Sequence, residues 1–209
     1  MLVGHLGVGL IGKRVEPNIS LGTWTLAVLL ADFICFPLLI AGVEQFHSSA
    51  GDIPYSHSLL MNAVWAALFA AAYYLRRRYP RGAWLLFAAV LSHWVLDAIS
   101  HRPDMQLTPG IHTVWGLGLW NSIPATLIVE GGFWLLAIVI YVRAAAPKGF
   151  LGVIVFWIGI VLLTLAWYGN IRRGMDPDPV RAGVGGLIFF SLIVAWAYWI
   201  NRLARSTSS

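Results

Sequence analysis

Six apolar stretches, at about residues 21–43, 57–75, 82–99, 124–142, 150–168 and 180–200, take up most of this 209-residue chain. Each is long enough to cross a hydrocarbon layer of about 30 Å, which requires roughly 17 to 25 helical residues. Composition points the same way: 59% of residues are hydrophobic and 11% charged, and the mean hydropathy of +0.75 is far from that of a soluble domain. The expected fold is an all-α integral membrane protein with six transmembrane helices, one membrane-embedded unit over residues 1–209 with little room for a soluble domain. Met1 to Gly12 are also apolar but too short to span. They lack the charged start and small-residue cleavage site of a secretory signal, so they are expected to remain as a short half-helix or interfacial segment.

Orientation follows from the fourteen Lys and Arg residues. Lys13 and Arg14, Arg76, Arg77, Arg78 and Arg81, Arg143 and Lys148, and Arg202 and Arg205 all fall on one side of a six-span chain. Only Arg102, Arg172, Arg173 and Arg181 fall on the other. The positive-inside rule therefore predicts a bacterial-type inner (cytoplasmic) membrane protein with both termini cytoplasmic. The net charge of +5 reflects topology, and no nucleic-acid partner is expected. Arg76 to Arg81 read as a topology anchor, with contact to anionic headgroups as the second reading. Cys35, the single cysteine, lies inside the first span, which excludes an intramolecular disulfide and a Cys-based zinc cluster. Trp24, Trp84, Trp120 and Trp167 stand near span ends, as interfacial anchors do. The longer connections, about 44–56 and 100–123, fall on the outer side and contain the helix breakers Gly51, Pro54, Pro103, Pro109 and Gly110. The last two spans carry no acid and no His, which suits scaffold and lipid packing, with Gly183, Gly185 and Gly186 allowing close helix approach.

Polar residues within such apolar runs are costly and therefore informative. His93, Asp97 and His101 recur every four positions, so on a continuous helix they rise along one face in steps of about 6 Å. That is close enough to converge on one ion or two; the plain alternative is a His–carboxylate hydrogen bond between helices. Asp32 stands mid-span, where a carboxylate costs roughly 2.5–3.5 kcal/mol and needs a partner; it reads as a metal ligand or general base, or as a protonated Asp bonded to a neighbouring helix. His57 opens the second span between Ser56 and Ser58, either as an interfacial cap or as a further ligand. Glu130 is the only acid of the fourth span and a second ligand candidate. His5 lies among glycines in the amino-terminal segment, on the side opposite His57, Asp97 and His101 by charge bias. A re-entrant half-helix carrying His5 toward Asp32 resolves that conflict, since broken segments are tolerated when buried in protein. His47 and His112 fall in the outer loops as weaker candidates.

Taken in order, His5, Asp32, Tyr55-Ser56-His57-Ser58, Ser92-His93-Trp94-Val95-Leu96-Asp97, His101-Arg102-Pro103-Asp104, Gly118-Leu119-Trp120-Asn121-Ser122 and Glu130 resemble the YdjM-like family of membrane-bound metal-dependent hydrolases over roughly residues 1–142. The order of ligand types is also similar to that of the zinc-dependent phospholipase C and nuclease superfamily. The resemblance implies that Asp32, His57, His93 and Asp97 hold one ion, that Asp97 bridges to a second held by His5, and that His101 and Glu130 hold a further ion or support the others. It divides the chain into a metal-site core, 1–142, and additional helices, 143–209. Two departures weigh on a third ion: Thr126 stands four residues before Glu130 where the soluble enzymes have His, and Met1 stands where they have an amino-terminal Trp ligand.

Imidazoles and carboxylates suit Zn²⁺, with Mn²⁺ or Fe²⁺ as alternatives and one to three ions in all. Such ions make hydroxide available at neutral pH and stabilise both oxygens of a phosphoester displacement. Asp32 is then the general-base candidate, and Arg102 either neutralises a phosphate or anchors the interface. A site walled by helices near the headgroup layer points to hydrolysis of a membrane lipid or lipid-linked ester. The chain has no HExxH, no PSGH-like motif and too few His for a desaturase. The competing class is a metal-binding or ion- or proton-conducting protein in which the same groups are strung across the membrane; a third is a scaffold with no metal.

Overall fold

The computed structural model describes residues 1–45, 53–111, 113–145, 147, 149–173 and 178–206; His47 and His112 lie outside them. Helix α1, Leu2–Val15, is 14 residues, or about 21 Å, too short to cross. Its last turn carries Lys13 and Arg14, where cations complement the helix dipole. The Lys13 ammonium also donates to the carbonyls of Pro17 and Ile19, at 2.6 and 3.0 Å. Glycine on α1 permits close packing: a Cβ on Gly12 would fall 2.5 Å from the Trp24 ring, and one on Gly7 would fall 2.8 Å from Phe133. Trp24 and Trp167 are thus core residues, both nearly inaccessible, and do not act as interfacial anchors; Trp84 and Trp120 remain exposed.

The first expected span is not one helix. Helix α2, Leu21–Val28, starts at Ser20, whose hydroxyl accepts from Thr23 N at 3.0 Å. Helix α3, Leu30–Ile40, follows after Leu29, and the two axes differ by 52°. Leu29 carries φ −103°, ψ 6°, outside the helical basin, with no Gly or Pro to mark the break. A four-residue helix, α4 (Pro54–His57), precedes α5 (Leu59–Arg77) and α6 (Pro80–Ser100). Ser58 caps α5, Arg78 ends it in the left-handed conformation, and Pro80 opens α6 at a position where its missing N–H costs nothing.

Between α6 and the next helix lie β1 (Met105–Gln106) and β2 (Val114–Trp115), an antiparallel pair, followed by a 3₁₀ turn, Leu119–Asn121. Strands of two residues are too short to show a period in sequence. This loop folds back on the end of α6: Leu117 N donates to Ala98 O at 2.8 Å and Gly118 N to His101 O at 2.7 Å, satisfying carbonyls that the helix end leaves free. Gly118 needs its positive φ of 69°, and a Cβ on Gly116 would collide with the Arg102 backbone.

Helices α7 (Ile123–Ala145), α8 (Phe150–Arg173) and α9 (Pro179–Ser206) complete the bundle. Five helices, α5 to α9, are each long and apolar enough to cross a membrane, and the bent α2–α3 pair is long and apolar enough for a sixth when its two halves are counted as one broken span. Helix α9 lies along α2 and α3. Gly183 and Gly186 bring it against Ile40 and Phe36, while Gly185 faces open space. One hydrophobic core joins α1, α2, α6, α7, α8 and α9.

Candidate metal centre

Each interruption in the helices supplies one part of the polar cluster. The break at Leu29 ends α2 at Val28, whose carbonyl would otherwise accept from Asp32 N in a continuous helix. Here it accepts from His93 Nδ1 at 2.8 Å. A carbonyl can only accept, so His93 Nδ1 carries a proton, and in the neutral ring Nε2 carries the lone pair. The same break puts Asp32 in the first turn of α3, aimed at the cluster.

His57 is fixed by a second relay. Glu44, fully buried, accepts from Tyr55 N and Ser56 N at 2.7 and 2.9 Å through Oε1 and from the Ser56 hydroxyl at 2.7 Å through Oε2. With the Ser56 proton given to a carboxylate, Ser56 Oγ accepts from His57 Nδ1 at 2.7 Å, which in the neutral ring leaves the lone pair on His57 Nε2. The two Nε2 atoms face each other at 3.2 Å.

Around that pair stand two carboxylates. Asp97 Oδ2 lies 3.1 Å from His93 Nε2 and 3.9 Å from His57 Nε2, and Asp32 lies 3.6 Å from His57 Nε2 and 3.8 Å from His93 Nε2. Asp97 Oδ1 turns the other way, 3.1 Å from His5 Nε2 and 2.7 Å from the Met1 amine. The His5 ring stacks on His93 at 3.8 Å. Two overlapping groups result, His5–His93–Asp97 and Asp32–His57–His93, each with ligand atoms within 4.8 Å of one another. Two neutral imidazoles would set their lone pairs beside two acceptor-only carboxylates, a repulsion that a proton or a metal cation among them relieves. The donor set therefore fits a divalent metal.

The amino-terminal conflict is resolved by α1. Its first turn brings His5 to Asp97 and His93, while at its other end Glu16 accepts from the Tyr79 hydroxyl at 2.6 Å and lies 3.5 Å from Arg81. Helix α1 thus begins at the cluster and runs out to the basic end of the bundle, enclosed by protein as non-spanning segments at membrane depth must be.

His101 departs from the expected helical face. Helix α6 ends at Ser100, and His101 is extended at φ −70°, ψ 151°, two residues before Pro103, which cannot continue a helix. Its Nδ1 lies 3.1 Å from Asp104 and its ring 4.7 Å from Trp120, outside both ligand groups. Glu130 is fully buried but accepts from Gly4 N at 3.3 Å and Trp120 Nε1 at 3.4 Å, and it too lies outside them. Arg102 is exposed on the rim, 3.7 Å from Asp104 Oδ2. Sequence reasoning missed Glu44, whose role appears only once its contacts with Tyr55 and Ser56 are seen.

Fold and site together define a multi-pass helical membrane protein with a buried cluster of His and Asp able to hold metal. The chain belongs to the YdjM inner membrane protein family, whose model matches residues 1–173, extending through α8 and beyond the resemblance read from motifs. No curated protein and no solved structure matches the chain.

Proposed function

We propose that this protein is a membrane-bound metal-dependent hydrolase that cleaves a phosphoester, or another ester, in a lipid or lipid-linked substrate. The observation that carries the reading is the 3.2 Å approach of two imidazole Nε2 atoms whose Nδ1 protons are already committed. His57 and His93 would hold one ion with Asp32 and Asp97, and His5 with Asp97 would hold a second; zinc suits these donors best, with Mn²⁺ or Fe²⁺ as alternatives. A divalent cation there supplies Lewis acidity and hydroxide at neutral pH. Asp32 is the accessible member, its side chain 19% exposed against 7% or less for His5, His57, His93 and Asp97. Its Oδ2 is buried, 3.8 Å from His93 Nε2, and has no hydrogen-bond partner among the described residues, which leaves it free to ligate an ion or to take up a proton. Arg102 on the rim is suited to neutralise a phosphate.

Support for a lipid substrate comes from the mouth. A cavity of about 10 Å³ beside His57, lined by Ile53, Asp104, Met105 and Gln106, holds about one water, so an ester approaching beside His57 requires the Asp104–Gln106 edge to shift. Exposed Ile111, Trp115, Leu117 and Trp120 surround that edge with apolar surface suited to acyl chains. Residues 1–142 then carry the site and 143–209 buttress it through α9. The basic ends of α1 and α5 would face the cytoplasm, as would both termini. An ion path is less well supported, because the ionisable groups gather at one depth.

Metal per chain in detergent-purified protein, by elemental mass spectrometry, tests this reading. One or more ions in the wild type, lost in His57→Ala and Asp97→Ala and retained in His101→Ala, are expected. Substoichiometric metal unchanged by every substitution and by added zinc refutes it.

A further inference from the structure

At the end of the bundle opposite the metal centre lies a cavity of about 420 Å³ between α2, α5 and α9. Its upper wall is polar and cationic, with Arg76, Arg77 and Tyr73 from α5, Ser20 from the start of α2, and Tyr198 from α9. Its lower wall is apolar, formed by Leu26, Phe69 and Ala72. Phe69, Ala72, Tyr73 and Arg76 follow one another at helical spacing, so a single stripe of α5 passes from hydrocarbon-like to cationic within two turns. That gradient matches a molecule with an acyl end and an anionic head.

Charge balance within the cavity favours an anion. Among the described residues no carboxylate forms an ion pair with Arg76 or Arg77. The neighbouring acid, Glu16, is committed to the Tyr79 hydroxyl, to Asn18 N at 3.2 Å and to Arg81. The hydroxyls of Ser20 and Thr23 lie 2.7 Å apart and Tyr198 Oη lies 3.3 Å from Thr23, which clusters rotatable donors beside the guanidinium groups. Hydroxyl donors and paired guanidinium forks together suit phosphate oxygens. The depth is right as well: helix α5 runs 19 residues from the cluster end to Arg77, about 28 Å, which carries the arginines to the opposite headgroup layer. A lipid held here therefore cannot be the ester acted on at His57.

We propose that this cavity binds the phosphate headgroup of an anionic phospholipid from the leaflet opposite the metal centre, with an acyl chain descending over Leu26, Phe69 and Ala72. The site does not depend on the hydrolase reading.

The test is lipid binding by native mass spectrometry of the full chain in detergent, titrated separately with phosphatidylglycerol, phosphatidylcholine and inorganic phosphate. Three variants accompany the wild type: Arg76→Gln with Arg77→Gln; Arg78→Gln with Arg143→Gln, which removes the same charge outside the cavity; and Ala72→Trp, which fills the cavity and leaves charge unchanged. The expected result is a preference for phosphatidylglycerol, weakened about tenfold or more in the Arg76/Arg77 variant and in Ala72→Trp, and kept in the Arg78/Arg143 variant. Equal loss in the Arg78/Arg143 variant would reduce the effect to surface potential and overturn the site. Equal binding of phosphatidylcholine overturns the headgroup assignment, and displacement of the lipid by millimolar inorganic phosphate alone assigns the cavity to free phosphate instead.

Discussion

Ser56→Ala should weaken metal binding without touching a ligand. In the wild type the Ser56 hydroxyl gives its proton to Glu44 and takes one from His57 Nδ1, both at 2.7 Å. The substitution leaves a buried imidazole N–H without an acceptor and frees the ring to turn or to move its proton to Nε2, the atom that must be bare to ligate. Glu44 keeps two of its three donors, the N–H groups of Tyr55 and Ser56, so the α4 turn should persist and the damage should stay local. Loss of such a supporting contact typically costs 10- to 100-fold in metal affinity, which corresponds to about 1.4–2.7 kcal/mol. Ser56→Thr retains the hydroxyl and should recover most of the loss. Competition of purified protein against a chromophoric zinc chelator measures the ratio directly. Affinity within twofold of wild type in Ser56→Ala would refute the argument, because the His57 tautomer would then owe nothing to the Glu44–Ser56 relay.

Two further expectations concern how α1 is held. Gly12→Ala places a methyl group 2.5 Å from the buried Trp24 ring, and the overpacking should destabilise the protein by about 1–3 kcal/mol, read as a lowered thermal midpoint in detergent with α1 partly displaced. Glu16 predicts an acid response: the hydrogen bond from the Tyr79 hydroxyl, then that from Asn18, holds its carboxyl below the ordinary value of 4.5. A depressed folded-state value means that the stabilisation is complete above about pH 4.5, the unfolded value, and is lost as pH falls through the lower folded one. The thermal midpoint of the wild type should fall across that window, and Tyr79→Phe should flatten the fall; an equally steep drop in Tyr79→Phe would dissociate Glu16 from it.

The spanning architecture was legible because a run of about 20 apolar residues has few other folded outcomes, and Asp32, His57, His93 and Asp97 stood out because ionisable groups in such runs need partners. Three features were hidden for separate physical reasons. Leu29 breaks a span with a residue that favours helix, so no local signal exists; the 52° bend is held by tertiary contacts, among them the His93–Val28 bond. His101 kept the four-residue rhythm in sequence, but the rhythm presumed a helix that Pro103 stops. Glu44 lay in what read as a polar loop, and its value depends on Ser56 returning to it from 12 positions away.

The bent α2–α3 pair ties these points together. A straight helix would keep the Val28 carbonyl for Asp32 N and leave His93 free to choose its tautomer, and it would carry Asp32 along the line of α2. Breaking the ladder once supplies both the acceptor that fixes His93 and the turn that aims Asp32 at it, within 3.8 Å. Because the cost of an unpaired carbonyl in a bilayer is several kcal/mol, the break is tolerable only while His93 occupies it. Fold and site are therefore mutually dependent at this point, and His93 is the residue whose loss should disturb the backbone as well as the cluster.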